Sequence, residues 1–299
     1  MTYDDIVSIF MSVPETPIPP PVVPGTPARR LRDALEPIAT QGWWSRSAGE
    51  RVAALGLGFF DGYVWGRAAA LGTPSPALVV ATFGVFDPAM LTAVYEGAVA
   101  VASRDDVLEA RAAGAAESLE SVVPADQAAA VADPLLAALA TVDGMGRPLF
   151  SALRGLPVPA SPHGRLWRAA ELVREHRGDG HLAAVVAAGI DMTSINVITE
   201  VWLGFGVGEY SFTRGLGAEQ LATAVASLEA RGLLAGGTLT PTGRLQREAL
   251  EGATDRSQRQ LIDAIGGDLD DLVESAEAIS AALVAAPAFP SDPRKRAAG

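Results

Sequence analysis

A chain of 299 residues, 49% apolar and 19% charged, is long enough to bury a substantial core as one large domain or two ordinary ones. Its formal net charge is -12 and its only lysine is Lys295, so a lysine-dependent phosphate loop is excluded and a nucleic acid would meet an acidic surface. The absence of cysteine removes disulfides, thiolate metal sites and cysteine nucleophiles together.

At the N-terminus, Asp4 and Asp5 stand where a signal peptide carries basic residues. No apolar run anywhere reaches the roughly 18 residues that span a bilayer, so a soluble, cytoplasmic protein without membrane contact is expected. Residues 1–27 read as a short amphipathic piece, Asp4 to Val13, followed by an extended proline-rich arm around Pro19-Pro20-Pro21. Residues 28–155 read as a helical lobe holding Trp43, Trp44, Phe59, Phe60, Tyr63, Trp65, Phe83, Phe86 and Tyr95, half of the chain's aromatics. Helices are expected at Ala28 to Gln41, Ala48 to Leu55, Phe59 to Leu71, Ser75 to Phe83 and Pro88 to Val101. Arg67 lies one helical turn beyond Tyr63, and a desolvated guanidinium needs a partner. That partner is either a structural carboxylate, Asp61, Asp87 or Glu96, or an anionic ligand in a pocket walled by aromatics. Gly56-Leu57-Gly58 lacks the preceding strand and the spacing of a dinucleotide fingerprint. From Ser103 to Ala140 two alanine-rich helices, broken near Pro124, suit a scaffold or a dimer interface.

Residues 156–286 form the second lobe, and its densest chemistry is Arg174-Glu175-His176-Arg177-Gly178-Asp179-Gly180-His181. Apolar spacing predicts a helix to His176, ended by Gly178 and Gly180, with Asp179 capping a second helix from His181 to Ala188. A third helix, Met192 to Leu203, a glycine-rich link, Gly204 to Gly215, and a helix from Ala218 to Arg231 follow. After the turn at Gly236-Gly237 come a long helix, Arg244 to Ile265, a last helix, Asp268 to Ala285, and a disordered tail, 287–299.

His176 and His181 titrate near neutral pH, so His181, His176 and Asp179 are the candidates for acid-base catalysis, oriented by Asp179 or Glu175. Arg67 and Arg177 would hold an anion or a developing oxyanion, with Tyr63, Trp65, Phe83, Phe86 and Trp167 as the apolar wall and His163 and Glu175 beside them. The blander alternative has Asp179 as a cap and Arg174 and Arg177 paired with Glu171 and Glu175 on the surface. His163 and His176 lie about 20 Å apart along a straight helix, and His176, Asp179 and His181 match no standard metal spacing. Neither a metal nor a particular cofactor is implied.

The helix ending in Leu228-Glu229-Ala230-Arg231-Gly232-Leu233-Leu234, the tight turn and Leu239-Thr240-Pro241-Thr242-Gly243-Arg244 resemble the recognition helix, wing and return helix of MarR-type proteins. Ala54-Leu55-Gly56-Leu57 echoes Ala187-Ala188-Gly189-Ile190, so the fold expected is mainly α, with duplicated winged-helix-like lobes and a small β-wing. Residues 28 to 285 as a whole resemble the SCO6745 family of actinobacterial, MarR-like helix-turn-helix proteins. The likeness is carried by Gly66-Arg67-Ala68-Ala69, Ala81-Thr82-Phe83, Gly146-Arg147-Pro148-Leu149 and Arg174 to His181. It implies a winged-helix fold and a homodimer formed through Leu269 to Leu283. Across residues 181–232 only Arg214 and Arg231 face Asp191, Glu200, Glu209, Glu219 and Glu229, which argues against a DNA-reading surface. The function expected is small-molecule binding, catalytic or not, on a scaffold that has lost DNA binding. The alternative is a MarR-like regulator that responds to a ligand.

Overall fold

The structure is a computed structural model, and it describes Ile18, Pro21 and residues 23–286 and 288–298. The amphipathic piece Asp4 to Val13 and most of the proline-rich arm lie outside the described residues. The first half runs through α1 (Pro27–Ala39), α2 (Gln41–Trp44), α3 (Arg46–Ala54), α4 (Phe59–Ala68), α5 (Pro76–Phe83) and α6 (Pro88–Val101). Next come α7 (Arg104–Glu120), α8 (Ala125–Thr141) and α9 (Pro148–Arg154). The second half opens with α10 (Pro162–Ala187), followed by α11 (Met192–Leu203) and α12 (Ala218–Ala230). The strands β1 (Leu234–Ala235) and β2 (Thr238–Leu239) lead into α13 (Pro241–Arg256), α14 (Arg259–Ile265), α15 (Leu269–Ala285) and α16 (Pro293–Ala298).

The molecule is organised around α10, which packs against α1, α7, α8, α9 and α13. Ser161 caps its start by accepting from the Gly164 N–H at 3.0 Å, and Pro162 occupies the first turn, where no amide partner is needed. The turn expected at 177–180 is absent, and the helix runs unbroken through Gly178 and Gly180. Each interior glycine costs about 1 kcal/mol of helix propensity, and packing on several sides outweighs that. At 180 the lack of a Cβ lets the Ser257 and Arg147 side chains approach the helix closely, and any larger residue would make both shift. Asp179 is therefore not a cap. It accepts from the Phe150 N–H at 3.0 Å.

The largest apolar core joins α1, α8, α10 and α15, so residues on both sides of position 155 share it. A second core lies among α3 to α7, and a third among α11, α12, the hairpin and α13. Asp191 caps α11 through the Ser194 N–H at 2.8 Å, and Gly204, at φ 83°, ends it. β1 and β2 pair antiparallel with Leu234 opposite Leu239, and Gly236 and Gly237 both adopt the positive φ that a two-residue primed turn demands. The fold is mainly α with this small wing.

Three further expectations are corrected. The long helix Arg244 to Ile265 is two helices, divided at Ser257-Gln258, where Arg147 donates to the Ser257 carbonyl at 2.6 Å. The tail expected to be disordered forms α16, because Arg29 and Arg32 donate to the carbonyls of Ala297 and Arg296 and Arg294 packs over Phe205. The apolar face of α15, where the resemblance placed a subunit contact, lies in the chain's own core through Leu272, Val273, Ala276, Ile279 and Leu283.

Candidate functional site

At 100° per residue, α10 presents Arg174, Arg177, Gly178, His181 and Leu182 on one side and His176, Asp179 and Gly180 on the other. The first side, with Glu175, faces a cavity of about 120 Å³ between α1, α4, α5, α10, α11 and α13. Seven arginines line it, Arg29, Arg32, Arg67, Arg174, Arg177, Arg214 and Arg247, with Glu36, Glu175 and Glu251 among them.

The arginines are tied down carboxylate by carboxylate. Glu175 accepts two bonds from Arg67, at 3.0 and 2.8 Å, and one from Arg174 at 3.0 Å. Burial would raise the Glu175 carboxyl, but Arg67 and Arg174 outweigh it and hold its pKa at about 2. Glu36 takes Arg174 at 3.3 Å and lies 3.6 Å from Arg32. Glu251 takes Arg29, Arg177 and Arg247, at 3.1, 2.9 and 2.5 Å. Arg67 also donates to the Tyr63 hydroxyl at 2.9 Å. Burial would raise that hydroxyl, yet Arg67, Arg214 and Arg174 outweigh it and hold it below the usual tyrosine range.

Arg214 differs from the other six. It donates to the Tyr210 hydroxyl at 2.8 Å and lies over the Phe86 and Tyr210 rings, at 4.6 and 5.1 Å, yet among the described residues it has no carboxylate partner. Its Nε, like the Nε of Arg177 and Arg247 and one terminal nitrogen of Arg32, is buried without a hydrogen-bond acceptor among the described residues. Such unpaired guanidinium nitrogens are costly unless something accepts from them. Arg214 is held by the glycine-rich link. The buried Glu200 carboxylate accepts from the N–H groups of Gly208, Tyr210 and Ser211, and the Arg214 carbonyl accepts from the Asp87 N–H at 2.8 Å.

His181 faces the same cavity, and its Nδ1 is 3.0 Å from the Thr254 hydroxyl. Thr254 spends its proton on the Leu250 carbonyl, at 2.9 Å. His181 is therefore the Nδ1–H tautomer, with Nε2 left as an acceptor. Burial, then Arg247 and Arg177, push its pKa down to about 3, so the imidazole is neutral and weakly basic.

Of the sequence-derived candidates, Arg67, Arg177, Tyr63, Phe83, Phe86, Glu175 and His181 line one cavity. The others do not join them. His176 turns away, 2.6 Å from Gln258 and edge-on to Phe150, and burial lowers its pKa to about 4. Asp179, on the same averted side, is raised to about 7 by burial. The expected catalytic group of His181, His176 and Asp179 is thus not assembled, because a continuous helix puts its members on opposite faces. His163 binds the Val123 carbonyl, Trp65 the Ala102 carbonyl and Trp167 the Ala39 carbonyl, all in packed cores. Arg67 pairs with Glu175, not with Asp61, Asp87 or Glu96. The surface pairing expected for Arg174 and Arg177 is in fact buried and reaches to Glu36 and Glu251. The sequence reading missed Arg29, Arg32, Arg174, Arg247 and Glu251 as cavity residues, and Arg214 above all. The one local signal for Arg214 was Tyr210-Ser211-Phe212-Thr213-Arg214, two aromatics and a cation inside an otherwise glycine-rich link.

The units α11, α12 and the β1-β2 wing, returned by α13, define a helix-turn-helix protein, here with an arginine-lined cavity behind that motif. The chain belongs to a helix-turn-helix family whose model matches residues 28–290. No curated protein and no solved structure matches it. Among the described residues no single helix is long and apolar enough to cross a membrane.

Proposed function

We propose that the protein is a receptor for a small organic anion, bound in the arginine-lined cavity of a helix-turn-helix scaffold of the SCO6745, MarR-like type. The observation that carries this is Arg214, a cation with no carboxylate partner among the described residues, on a cavity whose other arginines are paired with Glu36, Glu175 and Glu251 and, from outside its lining, with Asp33 and Asp255. An acidic protein that collects cations around a hollow favours a negatively charged occupant there. His181, as a neutral acceptor, suits a ligand hydroxyl better than a proton abstraction at neutral pH.

The test is thermal unfolding with acetate, benzoate or phosphate. A ligand that binds only the folded state raises the midpoint in step with its concentration. Arg214→Ala is expected to leave the ligand-free midpoint within a few degrees and to weaken anion binding at least about tenfold, the size of one charged hydrogen bond. An unchanged affinity in Arg214→Ala would remove the proposal's basis.

Duplex reading has little support from the exposed face of α12, which offers Glu219 and Glu229 against Arg231. A gel-shift assay at low salt with DNA from upstream of the protein's own gene is expected to show no retarded band. A band that fades as salt rises would instead support the regulator.

A further inference from the structure

Beside the arginine-lined cavity lies a second hollow, of about 350 Å³, and the two share Glu36, Tyr63, Phe86, Arg174, Tyr210 and Arg214. A hollow of this size already falls in the range of about 300–1,000 Å³ that holds drug-sized ligands. Its wall is mostly aromatic. Trp44 and Phe59 pack at 5.5 Å, Trp43 meets Tyr63 edge-on at 5.2 Å, and Phe60 meets Phe86 at 5.8 Å. Arg174 and Arg214 stand at the junction, each with its guanidinium over a ring, Trp43 at 5.1 Å and Phe86 at 4.6 Å. One end is therefore dominated by arginines and the other by aromatic rings, with Lys295 also on the chamber wall and Arg214, which has no carboxylate partner among the described residues, between them.

From this geometry we infer that the two hollows form one site for an aromatic carboxylate of about two fused rings, the carboxylate on Arg214 and the rings in the aromatic chamber. The inference rests on the anion-receptor reading and adds the body of the ligand to its charge. Ring faces and edges at offsets of 5–6 Å are the arrangement in which a further aromatic ring finds partners. A carboxylate matches the planar fork of Arg214, and the neighbouring Tyr210 hydroxyl is already fixed by that guanidinium. The link that carries Arg214 also carries Phe212 and Thr213 to the chamber wall, so one segment contacts both parts of the ligand.

The experiment measures binding of 2-naphthoate, acetate and 2-naphthalenemethanol to the full chain by calorimetry, with unfolding midpoints as the control for folding. Burying two rings predicts that 2-naphthoate binds at least about 100-fold more tightly than acetate, and more tightly than the uncharged alcohol. Thr213→Trp, which fills the chamber and leaves Arg214 in place, should bring 2-naphthoate down to the level of acetate while acetate binding persists. Arg214→Ala should weaken both acids and leave the alcohol unchanged. The inference is overturned if 2-naphthoate binds no more tightly than acetate, if the alcohol equals the acid, or if Thr213→Trp, folded by its midpoint, leaves 2-naphthoate binding intact. Acetate that binds in an Arg214-dependent way without any gain from the rings would sink this inference alone. If none of the anions binds, the receptor reading falls with it.

Discussion

Glu251→Ala is expected to lower the stability of the protein by about 3–5 kcal/mol, the cost of removing one partner from a buried ion pair. Glu251 and its three partners are nearly inaccessible, with side-chain exposures of 2% for Glu251 and Arg29, 6% for Arg177 and 4% for Arg247. Burial alone would raise the Glu251 carboxyl, but Arg247, Arg177 and Arg29 together hold it far below the carboxylate range. Removing it leaves three guanidiniums with little water and less counter-charge. Glu251→Gln keeps an acceptor oxygen and loses the charge, so it should fall between the wild type and the alanine variant. Glu117→Ala is the control. Its partner Arg51 is 48% exposed and Glu117 58%, and a surface pair of this kind contributes less than about 1 kcal/mol.

The same variant links stability to binding. With Glu251 gone the cavity holds a larger excess of cations, so phosphate should restore more stability to Glu251→Ala than it adds to the wild type. Urea midpoints with and without phosphate measure this. A loss under about 1 kcal/mol, or no extra response to phosphate, would mean that water already compensates the three arginines.

Why the glycines at 178 and 180 misled the sequence reading is a matter of where the deciding force lies. Propensity is local and argues for a break, whereas the packing that keeps α10 continuous comes from α1, α7, α8, α9 and α13, far away in sequence. The ion pairs show the same limit. Arg174 finds Glu36 138 residues away and Arg177 finds Glu251 74 residues away, and no spacing rule connects them. By contrast, α6 follows from a proline start and apolar spacing, α11 from the Asp191 cap, and the hairpin from two adjacent glycines, because each is decided within a few residues. Six of the seven candidates that line the cavity sit on helices α4, α5 and α10, whose positions could be read from local spacing, and Phe86 follows three residues after the end of α5. Arg214 could not be read in this way, because its loop is shaped by Glu200, whose carboxylate gathers three amides from beyond the end of α11. α16 was hidden for a similar reason. Six residues cannot hold a helix alone, and this one is held by α1 and by Phe205.

Asp179→Asn should make stability fall more steeply on acidification, because Asp179 is the one carboxyl on α10 whose pKa burial raises to about 7. The Asp179 carboxyl, raised by burial to about 7, keeps its proton in the folded state at pH values where an unfolded aspartate, near 3.8, has lost it. A raised pKa means that its contribution is fully present below the unfolded value and is lost as pH rises through the folded one. His176 and His181 act in the opposite direction. Their pKa values, about 4 and about 3 in the fold against 6.5 when unfolded, make the protein lose stability as pH falls below about 6.5. Glu175, at about 2, adds to that loss below 4.5, the ordinary value of a glutamate. Two histidines outweigh one aspartate between pH 4 and 6, so the wild type should weaken on acidification, with Asp179 as a partial counterweight. Removing the counterweight steepens the decline by about 1.4 kcal/mol per pH unit between pH 4 and 7, the value of one proton. Above pH 7 the variant should be the more stable protein, since the amide can still accept from the Phe150 N–H without burying a charge. Urea unfolding of both proteins from pH 4.5 to 8 decides it. Parallel curves would show that Asp179 is ionised in the fold, and that the averted face of α10 is wetter than its packing against Phe150 implies.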